Sequence, residues 1–105
     1  MADDIVYRFE SLAQDVDGTV TPFVLQVARP RFDPARGYYC EIYCRTLRKK
    51  PHKIFGENEA QACELTIWFV RRRLVDLGIT IIDADGTEIP LPEIDYVSDA
   101  PNPEA

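Results

Sequence analysis

The sequence has few of the residues that catalysis, cofactors and metals require. It contains one histidine and five glycines, and no glycine lies in a G-x-G-x-x-G or G-x-x-x-x-G-K arrangement that cradles phosphates. A zinc site needs a full set of nitrogen and sulfur ligands, whereas His52 lies alone in a lysine-rich loop. We therefore predict no catalytic residue, no cofactor and no metal site, and we do not expect an enzyme.

Long hydrophobic runs and a basic leader are also absent. The longest unbroken apolar run, residues 67–70, is far shorter than the ~20 residues that span a bilayer. Residues 1–4 are acidic where a signal peptide is basic. The 105 residues, 46% of them hydrophobic, fit one compact domain. We expect a cytoplasmic protein without a membrane partner.

The three cysteines favour buried thiols over a disulfide framework. Cys40 and Cys44 lie on one face of a predicted strand, about 13 Å apart, which exceeds the ~7 Å that a disulfide can bridge. Cys63 lies on the helix face that should meet them, so its pairing with either is geometrically open, although a cytosolic protein keeps its thiols reduced. We expect all three to act as small buried hydrophobic residues.

Charge is distributed unevenly along the chain. Twelve Lys and Arg against 18 Asp and Glu give a net charge of −6, which argues against a general nucleic-acid binder. Residues 1–28, 29–73 and 74–105 carry −4, +6 and −8. The basic middle is either neutralised by the acidic ends of the same domain or binds an anionic partner. Its candidate anion-binding residues are Arg45, Arg48, Lys49, Lys50, Lys53, Arg71 and Arg73.

Three strands are predicted before the helix. Alternation of apolar and polar residues predicts strands over 5–12, 21–29 and 38–47. An Asp-Gly pair after the first strand offers the turn of a hairpin, and prolines with a glycine predict a loop over 30–37. Because each strand has one apolar face, this meander needs a cover.

The cover is a helix predicted over residues 58–77. Asn58 is a good N-cap, and Gln61 can complete a capping box. Gly78 supplies the left-handed residue that ends many helices. At roughly 100° per residue, one apolar stripe of this helix falls within an arc of roughly 80°, and we expect it to pack on the sheet. That stripe consists of Cys63, Ile67, Val70, Leu74 and Leu77.

Two short strands, 79–83 and 87–91, are predicted after the helix, around a second Asp-Gly turn. One of them should extend the sheet. The predicted fold is therefore α+β and two-layered, an antiparallel β-meander covered on one face by one long α-helix, in the order β-β-β-α-β-β. It forms one domain over residues 1–92. Residues 93–105 form an acidic, proline-containing tail that we expect to be disordered.

A second stripe of the helix lies roughly opposite the first and contains Leu65, Trp68, Phe69 and Arg72. A helix that covers one sheet does not need aromatic side chains on its far side. Exposed aromatic residues beside arginine are typical of protein interfaces. We predict a non-catalytic interaction module that binds a protein, or a second copy of itself as a homodimer, through this stripe. Alternatively, the 79–91 hairpin or the 48–56 loop folds over it.

A second prediction of function is that the basic loop 45–53 and the run Arg71–Arg73 bind an anionic ligand or nucleic acid. Tyr39 and Tyr43, with arginines on the outer sheet face, are residue types that single-stranded RNA readers use. The RNA-binding signature string is missing, however, and tyrosine and arginine are also ordinary cross-strand partners. Nucleic acid is therefore not the expected partner.

Several turn and capping motifs also occur together in a known family. They are an R-P-x-x-D loop at 29–33, a strand ending near Cys40, a G-x-[DN]-x-x-Q-A helix start at 56–62, and a late D-G followed by L-P. Over most of residues 5–92 the chain thereby resembles a family of small, functionally uncharacterised bacterial proteins. The resemblance implies a shared fold and no activity. The basic loop and the run of three arginines depart from the family pattern.

Overall fold

One helix packs against one antiparallel sheet in residues 4–95, which are those that the computed structural model describes. The α+β fold class predicted from the sequence is confirmed. The elements in chain order are β1 (Ile5–Gln14), β2 (Val20–Ala28), β3 (Arg31–Asp33), β4 (Gly37–Tyr43), β5 (His52–Gly56), α1 (Glu59–Leu77) and β6 (Thr80–Ile82).

The first strands form the predicted meander. β1 pairs with β2 across a turn in which Gly18 has a φ of +88°, the conformation that an Asp-Gly turn requires. β5 occupies one edge of β4, so β2 and β3 both pair with the other edge. The residues between β2 and β3 include Pro30, which has no N–H to donate to the ladder. β2 and β3 therefore act as one interrupted strand.

The helix connects the two edges of the sheet. β5 lies at one edge, and β6 pairs with β1 at the other, in register Leu12 with Ile82. The prediction that a strand after the helix extends the sheet is therefore confirmed. The second strand of the predicted 79–91 hairpin is reduced to one bridge, between Ile82 and Glu88.

The strand boundaries differ most from the sequence prediction in three places. The predicted loop 30–37 contains β3, and the predicted loop 48–56 contains β5. The predicted third strand, 38–47, ends at Tyr43. Both additional strands are too short for alternation to reveal them, and pairing along the two edges of β4 supplies their backbone hydrogen bonds.

The ends of α1 lie where the sequence places them. Asn58 Oδ1 accepts a hydrogen bond of 2.8 Å from the N–H of Gln61, and Gln61 Oε1 in turn accepts from the N–H of Glu57. At the other end Gly78 has a φ of +70°, and the N–H of Ile79 bonds Leu74 O at 2.9 Å. Within residues 4–95, no helix combines the length and the apolar character that crossing a bilayer requires.

The core lies between α1 and the inner face of the sheet. The predicted helix stripe is buried through Leu74, but Leu77 remains 40% exposed because the chain turns back at Gly78. The inward residues of β2 alternate as predicted, with half-buried residues between them. The largest fully buried side chains are Phe23, Leu25, Val27, Cys40, Thr66, Ile67 and Val70.

The segment after β6 completes this core. Leu91 is 5% exposed, and the half-buried Ile94 packs against the same cluster. The hydroxyl of Tyr7 on β1 donates to Pro92 O at 2.8 Å, which ties the segment to the sheet. Of the predicted tail 93–105, residues 96–105 lie outside the described residues.

Candidate functional site

The outward face of α1, hereafter the docking face, consists of Leu65, Trp68, Arg72 and Val75. Trp68 is 61% exposed and Val75 75% exposed, while Leu65 is 36% exposed. Arg72 Nε lies 3.4 Å from a carboxylate oxygen of Asp76, one turn further along the helix. The indole of Trp68 is enclosed neither by residues 48–56 nor by residues 79–91, the two segments that could have folded over it.

The segment after β6 borders the docking face. Glu64, Leu65, Trp68, Arg71 and Glu93 line an open groove of about 460 Å³. Arg71 donates to Glu93 Oε1 at 3.0 Å and to the Leu91 carbonyl at 2.7 Å. These bonds hold the segment along the helix, beside the indole and not on top of it.

Phe69 does not share the exposure of Trp68, and the prediction needs correction at this residue. The ring of Phe69 is half-buried against the core and stacks on the imidazole of His52, with centroids 4.9 Å apart and planes 16° apart. One helical residue rotates the side chain by about 100°, which turns Phe69 towards β5. Covering by residues 48–56, the alternative weighed above, therefore applies to Phe69 and not to Trp68.

A second site, hereafter the basic cleft, lies between α1, β5 and the loop that joins β4 to β5. Its volume is about 430 Å³. One part of its lining is apolar and the other is basic. The apolar lining is Ile42, Cys44, Leu47 and Phe69, and the basic lining is Arg48, Lys50, His52 and Arg73.

The loop conformation builds this cleft. The carbonyl of Cys44 accepts the N–H groups of Leu47 and Arg48, at 3.1 and 2.9 Å, so the chain turns as soon as β4 ends. His52 then begins β5 opposite Ile42. Arg48 Nη1 donates a hydrogen bond to Nδ1 of His52. Because guanidinium has only donors, the imidazole is assigned the tautomer with its proton on Nε2.

The electrostatics of the cleft keep His52 neutral. Burial lowers the pKa of His52 below its ordinary value of 6.5, and the positive charges of Arg48 and Arg73 lower it further. Near neutral pH the ring is therefore uncharged, and Nε2 can donate a hydrogen bond. The cleft combines one neutral donor with three cationic side chains.

The predicted anion-binding residues do not form one cluster. β5 turns His52 towards the helix and Lys53 to the outer sheet face, where the Lys53 ammonium lies 4.9 Å from the ring centre of Tyr39. Arg71 faces Glu93 on another side of α1. The structure thus brings Arg48, Lys50 and Arg73 together, and it leaves Arg45, Lys49, Lys53 and Arg71 elsewhere.

The cysteines behave as the sequence predicts. All three are free and buried, and Cys40 Sγ lies 3.8 Å from Cys63 Sγ, a thiol contact and not a bond. Burial raises the pKa of Cys44, and the neighbouring sulfur together with burial raises the pKa of Cys63. Within residues 4–95, no group of histidine, cysteine and carboxylate side chains could hold a metal ion.

Sequence reasoning did not place His52 in the basic cleft. It placed this residue in a solvated loop, and only the pairing of β5 with β4 turns the ring towards Phe69. No local signal could have revealed this strand, since residues 52–56 show no alternation of polar and apolar side chains.

Comparison with known proteins adds no family assignment. No protein-family model matches the chain, and neither a curated protein nor a solved structure matches it. The resemblance to small uncharacterised bacterial proteins therefore stays a prediction.

Proposed function

We propose that this chain is a non-catalytic interaction module that associates with a second copy of itself through the docking face of α1. The observation that carries the proposal is the 61% exposure of Trp68, next to the exposed apolar side chains of Leu65 and Val75. Tryptophan is enriched among the residues that dominate binding energy at interfaces. A partner that covers this indole removes a large apolar surface from water.

The distribution of charge favours a second copy as the partner. In an antiparallel pair of α1 helices related by a two-fold axis at Trp68, residues equally far from Trp68 lie opposite each other. Trp68 then meets its symmetry mate, and Glu64 of each copy faces Arg72 of the other. Symmetry repeats this ion pair on both sides of the apolar centre. This pair of symmetric ion pairs flanking Trp68 supports self-association through the docking face.

The non-catalytic part of the proposal is supported by the state of the nucleophiles. Cys44 lines the basic cleft together with His52. Burial raises the pKa of this thiol, whereas an activated cysteine requires a lowered one. The hydrogen bond with the Cys63 thiol lowers the pKa of Cys40, but Cys40 is fully buried and does not line the cleft. Ser11 donates its hydroxyl to the Ile82 carbonyl at 2.6 Å, far along the sheet from the histidine.

Sedimentation of the wild type and Trp68→Ala tests self-association. At about 50 µM protein, a dimer with a dissociation constant near 1 µM is almost fully formed. We expect a dimer for the wild type and a monomer for Trp68→Ala. Trp68 is the one tryptophan in the chain, so its emission should shift to shorter wavelength as concentration rises and the indole leaves water.

Two controls make this test specific. Phe32 on β3 is 60% exposed, so Phe32→Ala removes an equally exposed aromatic ring away from the docking face and should remain dimeric. Glu64→Arg should weaken the dimer, and adding Arg72→Glu should restore it. A wild type that stays monomeric at this concentration, or a dimer that survives Trp68→Ala, overturns the proposal.

A further inference from the structure

The basic cleft has the properties of a small-molecule site, and the docking face uses none of its residues. Its volume of about 430 Å³ falls in the range of roughly 300–1,000 Å³ typical of ligand pockets. Leu47, Phe69 and the imidazole of His52, which stacks on one face of the Phe69 ring, give the cleft its apolar and flat lining.

Three cationic side chains and no carboxylate are among the described residues that line the basic cleft. Within the part of the chain that the structure describes, Arg48, Lys50 and Arg73 pair with no carboxylate. Arg8 and Arg71, in contrast, each hold a glutamate within 3.0 Å. Converging like charges repel each other, and an anion placed between them relieves this repulsion. The cleft is therefore electrostatically complementary to a negative group.

We infer that the basic cleft binds a small organic anion in which a sulfonate, phosphate or carboxylate group is carried on a flat apolar or aromatic body. The negative group lies among Arg48, Lys50 and Arg73, and the flat body lies against Phe69 and its neighbours. A nucleic-acid strand fits less well. The remaining cations do not continue the cleft as a track along which a phosphate backbone could run.

Benzenesulfonate is a suitable probe because it stays ionised at every pH at which the protein is folded. We expect it to shift the amide and ring signals of His52 and Phe69 in an NMR titration of the full chain. Methanesulfonate supplies the same single negative charge without the ring, and benzyl alcohol supplies the ring without the charge. Burying the ring should make benzenesulfonate bind about tenfold more tightly than methanesulfonate, and benzyl alcohol should bind more weakly as well.

Matched substitutions test whether the positive charges needed for binding are those of the cleft. Arg73→Gln and Lys50→Gln each remove one charge from the cleft and should weaken benzenesulfonate binding about tenfold, the usual effect of losing a charged hydrogen bond. Lys49→Gln and Lys53→Gln remove the same charge from neighbouring positions outside the cleft and should leave the affinity unchanged. Lys50 lies in an exposed loop, so this variant tests the inference even if Arg73→Gln folds poorly.

Three outcomes overturn the inference. The first is that benzenesulfonate shows no localised shifts up to about 10 mM, a range that detects millimolar dissociation constants. The second is that methanesulfonate or benzyl alcohol binds as tightly as benzenesulfonate. The third is that Lys49→Gln weakens binding as much as Lys50→Gln, which indicates a diffuse charge effect. Because the cleft and the docking face share no residue, failure here is independent of the oligomeric state.

Discussion

Trp68 and Phe69 are adjacent in sequence but occupy different environments. The indole of Trp68 is 61% exposed, whereas the ring of Phe69 is covered by His52. The helical rotation between neighbouring residues separates them, so one belongs to the docking face and the other to the basic cleft. At this scale a single residue step separates a candidate protein interface from a candidate ligand site.

His52 makes the stability of the fold depend on pH. Its pKa is lowered in the folded chain by burial first and then by Arg48 and Arg73. Just below pH 6.5, the ordinary pKa of histidine, the unfolded chain therefore binds more protons than the folded chain. The stability that neutral His52 contributes is present above that pH, and it is lost as the pH falls towards the folded pKa.

Urea unfolding of the wild type and His52→Gln at a series of pH values checks this dependence. We expect the free energy of unfolding of the wild type to fall more steeply below about pH 6.5 than that of the variant, because only the wild type carries the titrating ring. Because the carboxylates titrate in both proteins, their contribution to the pH dependence cancels in the difference between the two curves. Parallel pH curves for the two proteins would contradict the assignment.

The junction of β5 and α1 is tightly packed against backbone. A Cβ built on Gly56 would lie 2.6 Å from the backbone nitrogen of Ala62 and 2.9 Å from its Cα. Both atoms belong to the backbone of the first turns of α1. They cannot move aside as the end of a flexible side chain could. The close approach holds the helix against the end of β5, and β5 in turn carries His52 to the cleft.

Gly56→Ala should therefore destabilise the protein by about 1 to 3 kcal/mol, the cost of overpacking against backbone that must shift. Urea melts that report both the midpoint and its slope measure the change. Gly86 provides the contrast, because it has open space around it and a φ of +85°. Asparagine adopts that conformation more readily than other side chains, so Gly86→Asn should cost less than Gly56→Ala, about 0.5 kcal/mol of backbone strain. Equal losses in the two variants would disprove the packing argument.

Across the whole molecule, opposite charges from distant segments meet at a few points. Arg71 in the basic middle pairs with Glu93 in the acidic last segment, and Arg29 pairs with Asp4 near the start. Both pairs are solvent-exposed, and such pairs stabilise a fold only weakly. The acidic ends thus neutralise part of the basic middle, as the charge pattern allowed, and within residues 4–95 no carboxylate pairs with a cation of the basic cleft.

The segment after β6 is part of the folded unit because Leu91 is buried in the common core. Leu91→Ala should lower the free energy of unfolding by about 2 to 5 kcal/mol through loss of buried surface and formation of a cavity. Val75, 75% exposed, gives the matched surface change, and Val75→Ala should stay within about 0.5 kcal/mol at low micromolar protein. A similar loss in both variants would mean that the segment does not pack as described.

The sequence by itself determined the local features of this protein. Alternation showed which face of β2 is buried, and Asn58 and Gly78 located the two ends of α1 within one residue. These features depend on neighbouring residues through backbone geometry, side-chain period and caps, so a single chain segment contains the necessary information. The same periodicity identified Trp68 as a residue that the sheet does not cover.

The tertiary structure alone decided which residues meet. β5 exists because β4 has a free edge, and its register with β4 turns His52 towards Phe69 and Lys53 away from the helix. That register also separates the basic residues into those of the cleft and those outside it. Pairing between strands depends on positions many residues apart, and a shift of one residue would reverse every side chain. No local pattern encodes that choice, because the free energy that fixes it comes from packing the whole sheet against the helix.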